Sequence, residues 1–285
     1  MRMMKKARIS VLAFALSVAL ILCTVLPVAA IQFGTPDNGN HPYVVMCVFD
    51  VLNATGDPVP AWRTTGFLIS STVVITAGHG TDGASGGRVT NSANIPNYGV
   101  DGYPGPGLWA IEASEIYTHP DYRTGLGPGN GLPEFDSYDV GIVILSEPIE
   151  LDEYAELPDP YLVDTLSILA GVDLVGYGVN YQQRGGGLSP RDAWRWARMR
   201  YYAPANIVPS QDCISDMFVK LMANPGRGNG GTTFGDSGGP ILLAGTNIVI
   251  ANNSFVTSAN CDGVTYAQRI DIPEVLDWID GGYLD

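Results

Sequence analysis

Short apolar segments rich in β-branched residues alternate along the chain with clusters of glycine, proline, asparagine and aspartate. They are "YVVMCVF" (43–49), "GFLIS" (66–70), "TVVITA" (72–77), "DVGIVIL" (139–145), "VDLVGYG" (172–178), "PILLA" (240–244) and "NIVIA" (247–251). Runs of this length, bounded by turn-forming residues, are typical of strands in antiparallel proteins. The pattern therefore predicts an all-β fold built from many short strands.

Two segments depart from this strand pattern. "DIPEVLDWID" at 271–280 has a proline near its start and apolar residues on one face, which predicts a C-terminal α-helix. "EPIELDEYAELPDP" at 147–160 is acidic, bounded by prolines and without clear periodicity, which indicates a linker. We therefore expect two β units, at 31–158 and 159–285, with the helix at the end of the second.

The first thirty residues have a different character. A basic start, "MRMMKKAR", precedes the apolar "VLAFALSVALILCTVLPV", and "VAA" closes the segment at 28–30. This order is typical of a secretory signal peptide cleaved after small residues. The apolar run is long enough to span a bilayer, so an uncleaved membrane anchor is the alternative. Because no basic cluster follows, cleavage after Ala30 is favoured, which predicts a secreted chain beginning at Ile31.

The charge balance excludes some partners. The whole chain has a net charge of −14, and loss of 1–30, with its four basic and no acidic residues, takes this to −18. Such a surface repels nucleic acid and anionic membranes. We therefore expect no nucleic-acid partner and no stable membrane association once the signal is removed.

The cysteines left after signal cleavage are few. They are Cys47, Cys213 and Cys261, and an odd number permits at most one disulfide within a monomer. No two of them have the spacing of metal ligands, so a zinc site is disfavoured and no metal ligand is predicted. Calcium on an aspartate-rich loop stays open, although no helix-loop-helix ligand pattern is present.

Three segments place an imidazole, a carboxylate and a hydroxyl in contexts that suit catalysis. His79 follows the strand "VVITAG", Asp139 begins "DVGIVIL", and Ser237 lies between glycines in "GDSGGP". Nucleophilic catalysis needs a hydroxyl, a base to take its proton and an acid to orient that base. The N–H groups of Gly235 and Ser237 could bind the oxyanion, since Gly235 has no side chain in the way. Asp136 is an alternative acid, but the apolar run directly after Asp139 favours Asp139.

The order of these segments, "TAGH", "DVGIVIL" and then "GDSGGP", resembles that of the chymotrypsin/trypsin-like serine endopeptidases. "IQFGTPDNGNHPYVV" is similar to their mature N-terminus, "GFLISSTVVITAGH" to the strands before the histidine, and "GVTYAQRIDIPEVLDWI" to the last strand and helix. The resemblance implies two packed antiparallel β-barrels with the site between them. It implies His79 as general base, Asp139 as its orienting acid and Ser237 as nucleophile. It further implies a protein or peptide substrate, a monomer and no cofactor.

The resemblance also gives Ile31 a role. In the family, a cut before an Ile-led segment frees an amine that pairs with the aspartate preceding the serine, which here is Asp236. A buried carboxylate without a partner is costly, so docking of the Ile31 ammonium would stabilise the oxyanion loop. Export alone would then produce the competent enzyme.

Substrate preference follows from four further positions. Gly231, six residues before the nucleophile, matches the floor of the family's specificity pocket, where an acid would select arginine or lysine. Specificity for those residues is therefore disfavoured. Ser254, Phe255 and Val256 match the substrate-binding strand, and Val256 would narrow the pocket entrance. This favours small or medium apolar side chains.

Two other functions are less compatible with the sequence, and one possible disulfide is left undecided. A catalytically silent secreted binding protein of the same fold would usually have lost one of the three residues, and this chain has kept them all. An esterase on an α/β-hydrolase fold would place its histidine last and its serine in a different turn. Thr233 stands where the family usually has a cysteine, so pairing of Cys213 with Cys261 stays open.

Overall fold

The structure is a computed structural model of the 285-residue chain. It describes residues 31–125, 134–179, 197–208, 215–257, 261, 264–281 and 283. The predicted signal peptide at 1–30 and Cys213 lie outside the described residues, so signal cleavage and the Cys213–Cys261 pairing stay predictions.

Six strands from the N-terminal half form a closed antiparallel barrel. They are β2 (Val44–Leu52), β3 (Pro58–Leu68), β4 (Val73–Thr76), β5 (Gly86–Thr90), β6 (Ile111–Thr118) and β9 (Gly141–Leu145). Their order around the barrel is β2-β3-β4-β9-β6-β5. The apolar segments singled out in this half of the sequence fall on or beside β2, β3, β4 and β9, and their side chains form one buried cluster that includes Val44, Phe67 and Ile142.

Seven strands form the second sheet. They are β1 (Thr35–Pro36), β10 (Gly171–Gly176), β11 (Tyr201–Asn206), β12 (Phe218–Met222), β13 (Pro240–Leu243), β14 (Val249–Val256) and β15 (Val264–Arg269). The strand order is β1-β11-β10-β13-β14-β15-β12. A bridge between Ile207 and Leu221 joins the end of β11 to β12, so the far edge of the sheet curls back and the sheet is barrel-like.

The remaining elements are short, apart from the C-terminal helix. They are the pair β7 (Arg123–Gly125) and β8 (Glu134–Ser137), the helices α1 (Gly78–Thr81) and α2 (Pro273–Asp280), and 3-10 turns at Leu162–Thr165 and Pro225–Arg227. The sequence predicted α2, and its apolar face (Val275, Leu276 and Ile279) is buried in the cluster of the first barrel. The last helix therefore packs on the barrel formed by the first half of the chain.

The segment predicted as a linker, 147–160, has no strand and contacts both sheets. The Ala155 N–H donates to the Leu68 carbonyl on β3 (2.9 Å), and the Val249 N–H on β14 donates to the Glu156 carbonyl (2.9 Å). At the other end of the chain, β1 pairs with β11, so the first residues after position 30 join the second sheet. The division at 158/159 stays a prediction.

The predicted fold class is confirmed. The chain is mostly β, with two antiparallel barrel-like sheets and a C-terminal helix. Within the described ranges, no helix is both long and apolar enough to cross a bilayer.

Candidate active site

Two neighbouring strands of the first barrel bring His79 and Asp139 together. His79 lies in α1, which begins just after β4, and Asp139 lies just before β9, which pairs with β4. The His79 N–H donates to Asp139 Oδ1 (2.7 Å), and His79 Nδ1 lies 2.9 Å from Asp139 Oδ2. With Nδ1 as the donor, the Nε2 atom of the ring is left to accept a proton.

The Asp139 carboxylate is fully buried, yet it favours the charged form. Burial acts to raise the pKa of Asp139, but the nearby His79 charge and hydrogen bonds from His79 and Ser254 outweigh it and lower the pKa. The Ser254 hydroxyl donates a short hydrogen bond to Asp139 Oδ2. The acid is therefore held as an anion that can stabilise a charged imidazole.

The second sheet holds the backbone of Asp139 as well as its side chain. The Asn252 Nδ2 group donates to the Asp139 carbonyl (3.0 Å), and the Asp139 N–H donates to Gln268 Oε1 (3.3 Å). Neither Asn252 nor Gln268 was predicted from the sequence, and Ser254 was predicted only as part of the substrate-binding strand. Polar residues in a buried strand such as "NNS" need partners, and that signal could have indicated these contacts.

The loop that carries Ser237 depends on two glycines with positive φ. Gly235 has φ +97° and Gly238 has φ +76°, a region that side-chain-bearing residues rarely adopt. A Cβ on Gly238 would lie 2.3 Å from Thr76 Oγ1 and 2.4 Å from the Ala77 nitrogen. The loop thus packs against the end of β4, two residues before His79.

Asp236, directly before Ser237, is also fully buried. Its carboxylate accepts hydrogen bonds from the Gly178 N–H (2.7 Å), the Thr233 N–H (2.8 Å) and the Thr233 hydroxyl (2.9 Å). Burial raises the pKa of Asp236 to about 7, against these hydrogen bonds and the charge of Arg63, which lower it. These three neutral donors leave the carboxyl near its midpoint at neutral pH, so a cationic partner would stabilise it.

The segment after the predicted cleavage point lies close to this loop. Ile31 is fully buried in the apolar cluster of the second sheet. The Gln32 N–H donates to the Gly231 carbonyl (2.8 Å), and the Gly231 N–H donates back to the Gln32 carbonyl (3.1 Å). Residues 31–32 are therefore docked on the chain leading to Ser237, while pairing of the Ile31 amine with Asp236 stays a prediction.

The groups nearest to Gly231 are uncharged. A Cβ on Gly231 would lie 2.7 Å from the Ala223 Cβ and 3.3 Å from Gln32 Oε1, and the Gln32 amide is buried without a hydrogen-bond partner among the described residues. The next residue, Thr232, shares a hydrogen bond of 2.7 Å with the Thr265 hydroxyl. The neutral Gln32 amide thus lies beside the predicted pocket floor, where a carboxylate would be needed to select arginine or lysine.

The other predicted substrate-binding residues end β14. Phe255 stacks on Tyr266, with ring centroids 5.1 Å apart, and meets the edge of Phe218 at 5.8 Å. Val256, the last residue of the strand, is half-buried. The aromatic contacts of Phe255 thus fix the end of β14 directly before Val256, the predicted pocket entrance.

The side chains that could serve thiol or metal chemistry can be examined within the described residues. Burial raises the pKa of the Cys47 thiol to about 12, so this cysteine in the core of the first barrel is unreactive. In the part of the chain that the structure describes, no three His, Cys, Asp or Glu side chains are grouped as metal ligands would be.

Solved structures share this fold over most of the chain. A structure described as HL collagenase has a TM-score of 0.61 at 19% identity, covering 88% of this chain and 96% of that one. A human heparin binding protein has a TM-score of 0.60 at 17% identity, with the same coverage. At these identities the likeness shows the fold alone.

Sequence comparison goes further. Two proteins of Drosophila melanogaster, Serine protease 1 and Serine protease 2, are each 26% identical to this chain over 253 residues, which is 85% of this chain and 80% of theirs. The Trypsin family model matches residues 34–279, from just after the predicted cleavage point to the C-terminal helix. The chain therefore belongs to the Trypsin family.

Proposed function

We propose that this protein is a secreted serine endopeptidase that hydrolyses peptide bonds through an acyl-enzyme. One observation carries the proposal: the buried Asp139 carboxylate binds both the N–H and Nδ1 of His79, next to the loop of Ser237. With Nδ1 bound to the carboxylate, the Nε2 atom of His79 can act as a base. A histidine with a purely structural role would not need a buried carboxylate to orient its ring.

The reaction takes place in two steps. The Ser237 hydroxyl attacks the peptide carbonyl while His79 Nε2 takes its proton, and His79 then gives that proton to the leaving amine. Asp139 stabilises the charged imidazole, and the N–H groups of Gly235 and Ser237 bind the oxyanion. Water, deprotonated by His79, next attacks the acyl-enzyme, which releases the acid and restores the serine hydroxyl.

Secretion is part of the same proposal. The first thirty residues carry a basic start, an apolar run and a small-residue cleavage pattern, which support removal after Ala30. An uncleaved anchor would instead leave the same protease on a membrane surface.

A catalytically silent binding protein of this fold is the alternative, and one structural neighbour is named for heparin binding. Heparin is a polyanion, and the net charge of −14 on this chain repels such a ligand. The complete set of His79, Asp139 and Ser237 favours the protease.

Labelling with a fluorophosphonate probe tests the activity. The probe phosphonylates a serine only where the hydroxyl is activated, so we expect the protein beginning at Ile31 to be labelled and Ser237→Ala not to be. Ser114→Ala, which changes an exposed serine on β6, is the matched control and should label like the wild type. If folded wild-type protein does not label, the binding-protein alternative is favoured instead.

We further propose that the enzyme is not specific for arginine or lysine. Gly231 has no side chain and the nearby Gln32 amide is neutral, so a cationic substrate side chain would be buried without a counter-charge.

For matched peptides that differ only before the scissile bond, we expect kcat/KM for leucine to exceed that for lysine by about tenfold or more. Gln32→Glu brings a carboxylate to the same place and should raise the relative cleavage after lysine. Faster cleavage after lysine by the wild-type enzyme would contradict this specificity.

We also propose that the free amine of Ile31 pairs with Asp236. Because folding raises the pKa of Asp236 from 3.8 to about 7, the folded state binds the proton more tightly than the unfolded state. A form with a residue retained before Ile31 should therefore lose stability as the pH rises from about 4 to about 7.

Release of the amine supplies a positive charge once Asp236 is ionised. Chemical denaturation of both forms gives the difference in their free energies of unfolding. We expect the form beginning at Ile31 to be the more stable one, by a larger margin at about pH 7.5 than at about pH 5. In Asp236→Asn the pH dependence of this gain should disappear. Equal gains at both pH values in the wild type would argue against the pair.

A further inference from the structure

Arg63 is a buried cation on β3 whose described partners are all neutral. It is 8% exposed, and its guanidinium donates to the carbonyls of Tyr177 (2.8 Å) and Ala197 and to the Tyr103 hydroxyl (3.4 Å). No ion pair involves Arg63 within the described ranges, and its buried Nε has no hydrogen-bond partner there. Burying a charge that has no carboxylate in direct contact is costly, so we ask which group the charge of Arg63 serves. Its charge does reach the Asp236 carboxyl, whose pKa it lowers.

The charge lies beside the loop that precedes the nucleophile. Arg63 Nε and Nη2 are 3.7 and 3.8 Å from the place that a Cβ on Gly235 would occupy. Thr65 lies two residues further along β3, on the same face of the strand, and its hydroxyl donates to the Gly235 carbonyl (2.8 Å). One face of β3 therefore contacts the glycine whose N–H is proposed to bind the oxyanion.

The same two side chains also hold the strand end next to the loop. Arg63 Nη2 donates to the Tyr177 carbonyl, and the Tyr177 N–H donates to Thr65 Oγ1 (3.0 Å). The following residue, Gly178, lies with its Cα 3.2 Å from the same Cβ place on Gly235. Arg63 and Thr65 thus tie Gly235 and the 177–178 backbone to the first barrel.

We propose that Arg63 is a positioning residue of the oxyanion site. Together with Thr65 it fixes the Gly235 peptide, and its positive charge favours the negative oxygen that forms as Ser237 attacks. The inference rests on the proposed protease function. Preorganised charge in a water-poor site acts on charge that develops in the transition state and little on the neutral substrate carbonyl. Loss of Arg63 should therefore lower kcat rather than raise KM.

The matched substitution is at a second buried arginine. Arg88, which is 1% exposed and paired with Asp50, lies on β5 of the same barrel. We expect Arg63→Met to lower kcat by about ten- to a hundredfold with KM nearly unchanged, less than the roughly 10²–10³-fold for loss of a direct oxyanion donor. Arg88→Met should lose stability but keep its kcat. Arg63→Lys, which keeps the charge but not the fork of donors, should fall in between.

A transition-state analogue separates this role from a general structural one. A peptide aldehyde adds to Ser237 and places an oxygen in the oxyanion site. Its affinity should fall in Arg63→Met by about the same factor as kcat, while binding of an intact peptide in a Ser237→Ala background should not change. An unchanged kcat, or a fall explained by KM alone, would overturn the proposal.

Hydrogen exchange of the segment 230–240 gives a readout that does not need turnover. We expect faster exchange there in Arg63→Met than in Arg88→Met, because the loop has lost its attachment to β3. If Arg63→Met exchanges faster than Arg88→Met but the wild-type protein hydrolyses no peptide, the protease function is rejected and the attachment is kept. Equal exchange in the two variants would reject the attachment itself.

Discussion

The rest of the site depends on the hydrogen bonds that the buried Asp139 carboxylate accepts. A charge removed from water costs several kcal/mol unless donors replace the solvent, and here the donors come from both sheets. His79 binds the carboxylate from the first barrel, and the Ser254 hydroxyl on β14 donates to it from the second. Asn252 and Gln268, on β14 and β15, bind the backbone of Asp139 instead. The contacts that keep the acid ionised therefore also fix the two sheets against each other. The geometry of the His79–Asp139 pair therefore depends on how the two sheets pack.

Two buried acids show how partners decide the state of a carboxyl. Asp139 and Asp236 are both fully buried, yet the pKa of Asp139 is lowered and that of Asp236 is raised to about 7. The difference lies in the donors, because Asp139 binds an imidazole that can carry charge whereas Asp236 has only neutral donors in direct contact. The donors around Asp139 suit a carboxylate that stays ionised. The donors around Asp236 suit a carboxyl that ionises when a cation, such as a chain-terminal amine, binds next to it.

Much of the fold follows from local sequence, because β-branched runs bounded by turn residues fit the pleated, half-buried surface of a sheet. The C-terminal helix was predicted from its early proline and its apolar face, and the segments around His79 and Ser237 from their residue types and their order along the chain. The sequence did not reveal Arg63, since a charged residue in "AWRTTG" suggests an exposed strand face. Only the pairing of β3 in the barrel and the approach of the 177–178 backbone bury that face. The roles of Ser254 and Gln268 likewise depend on long-range pairing, including the irregular register between Asn253 and Phe255.

The most direct test of this account is the proton on His79 Nδ1, observed by NMR in water. A proton shared with the buried Asp139 carboxylate is deshielded and protected from exchange, so we expect a far-downfield resonance in the wild-type protein. It should vanish in Asp139→Asn and move in Ser254→Ala, which removes the second donor to the same oxygen. Absence of the resonance in active wild-type protein, or its persistence in Asp139→Asn, would contradict the central role of this carboxylate.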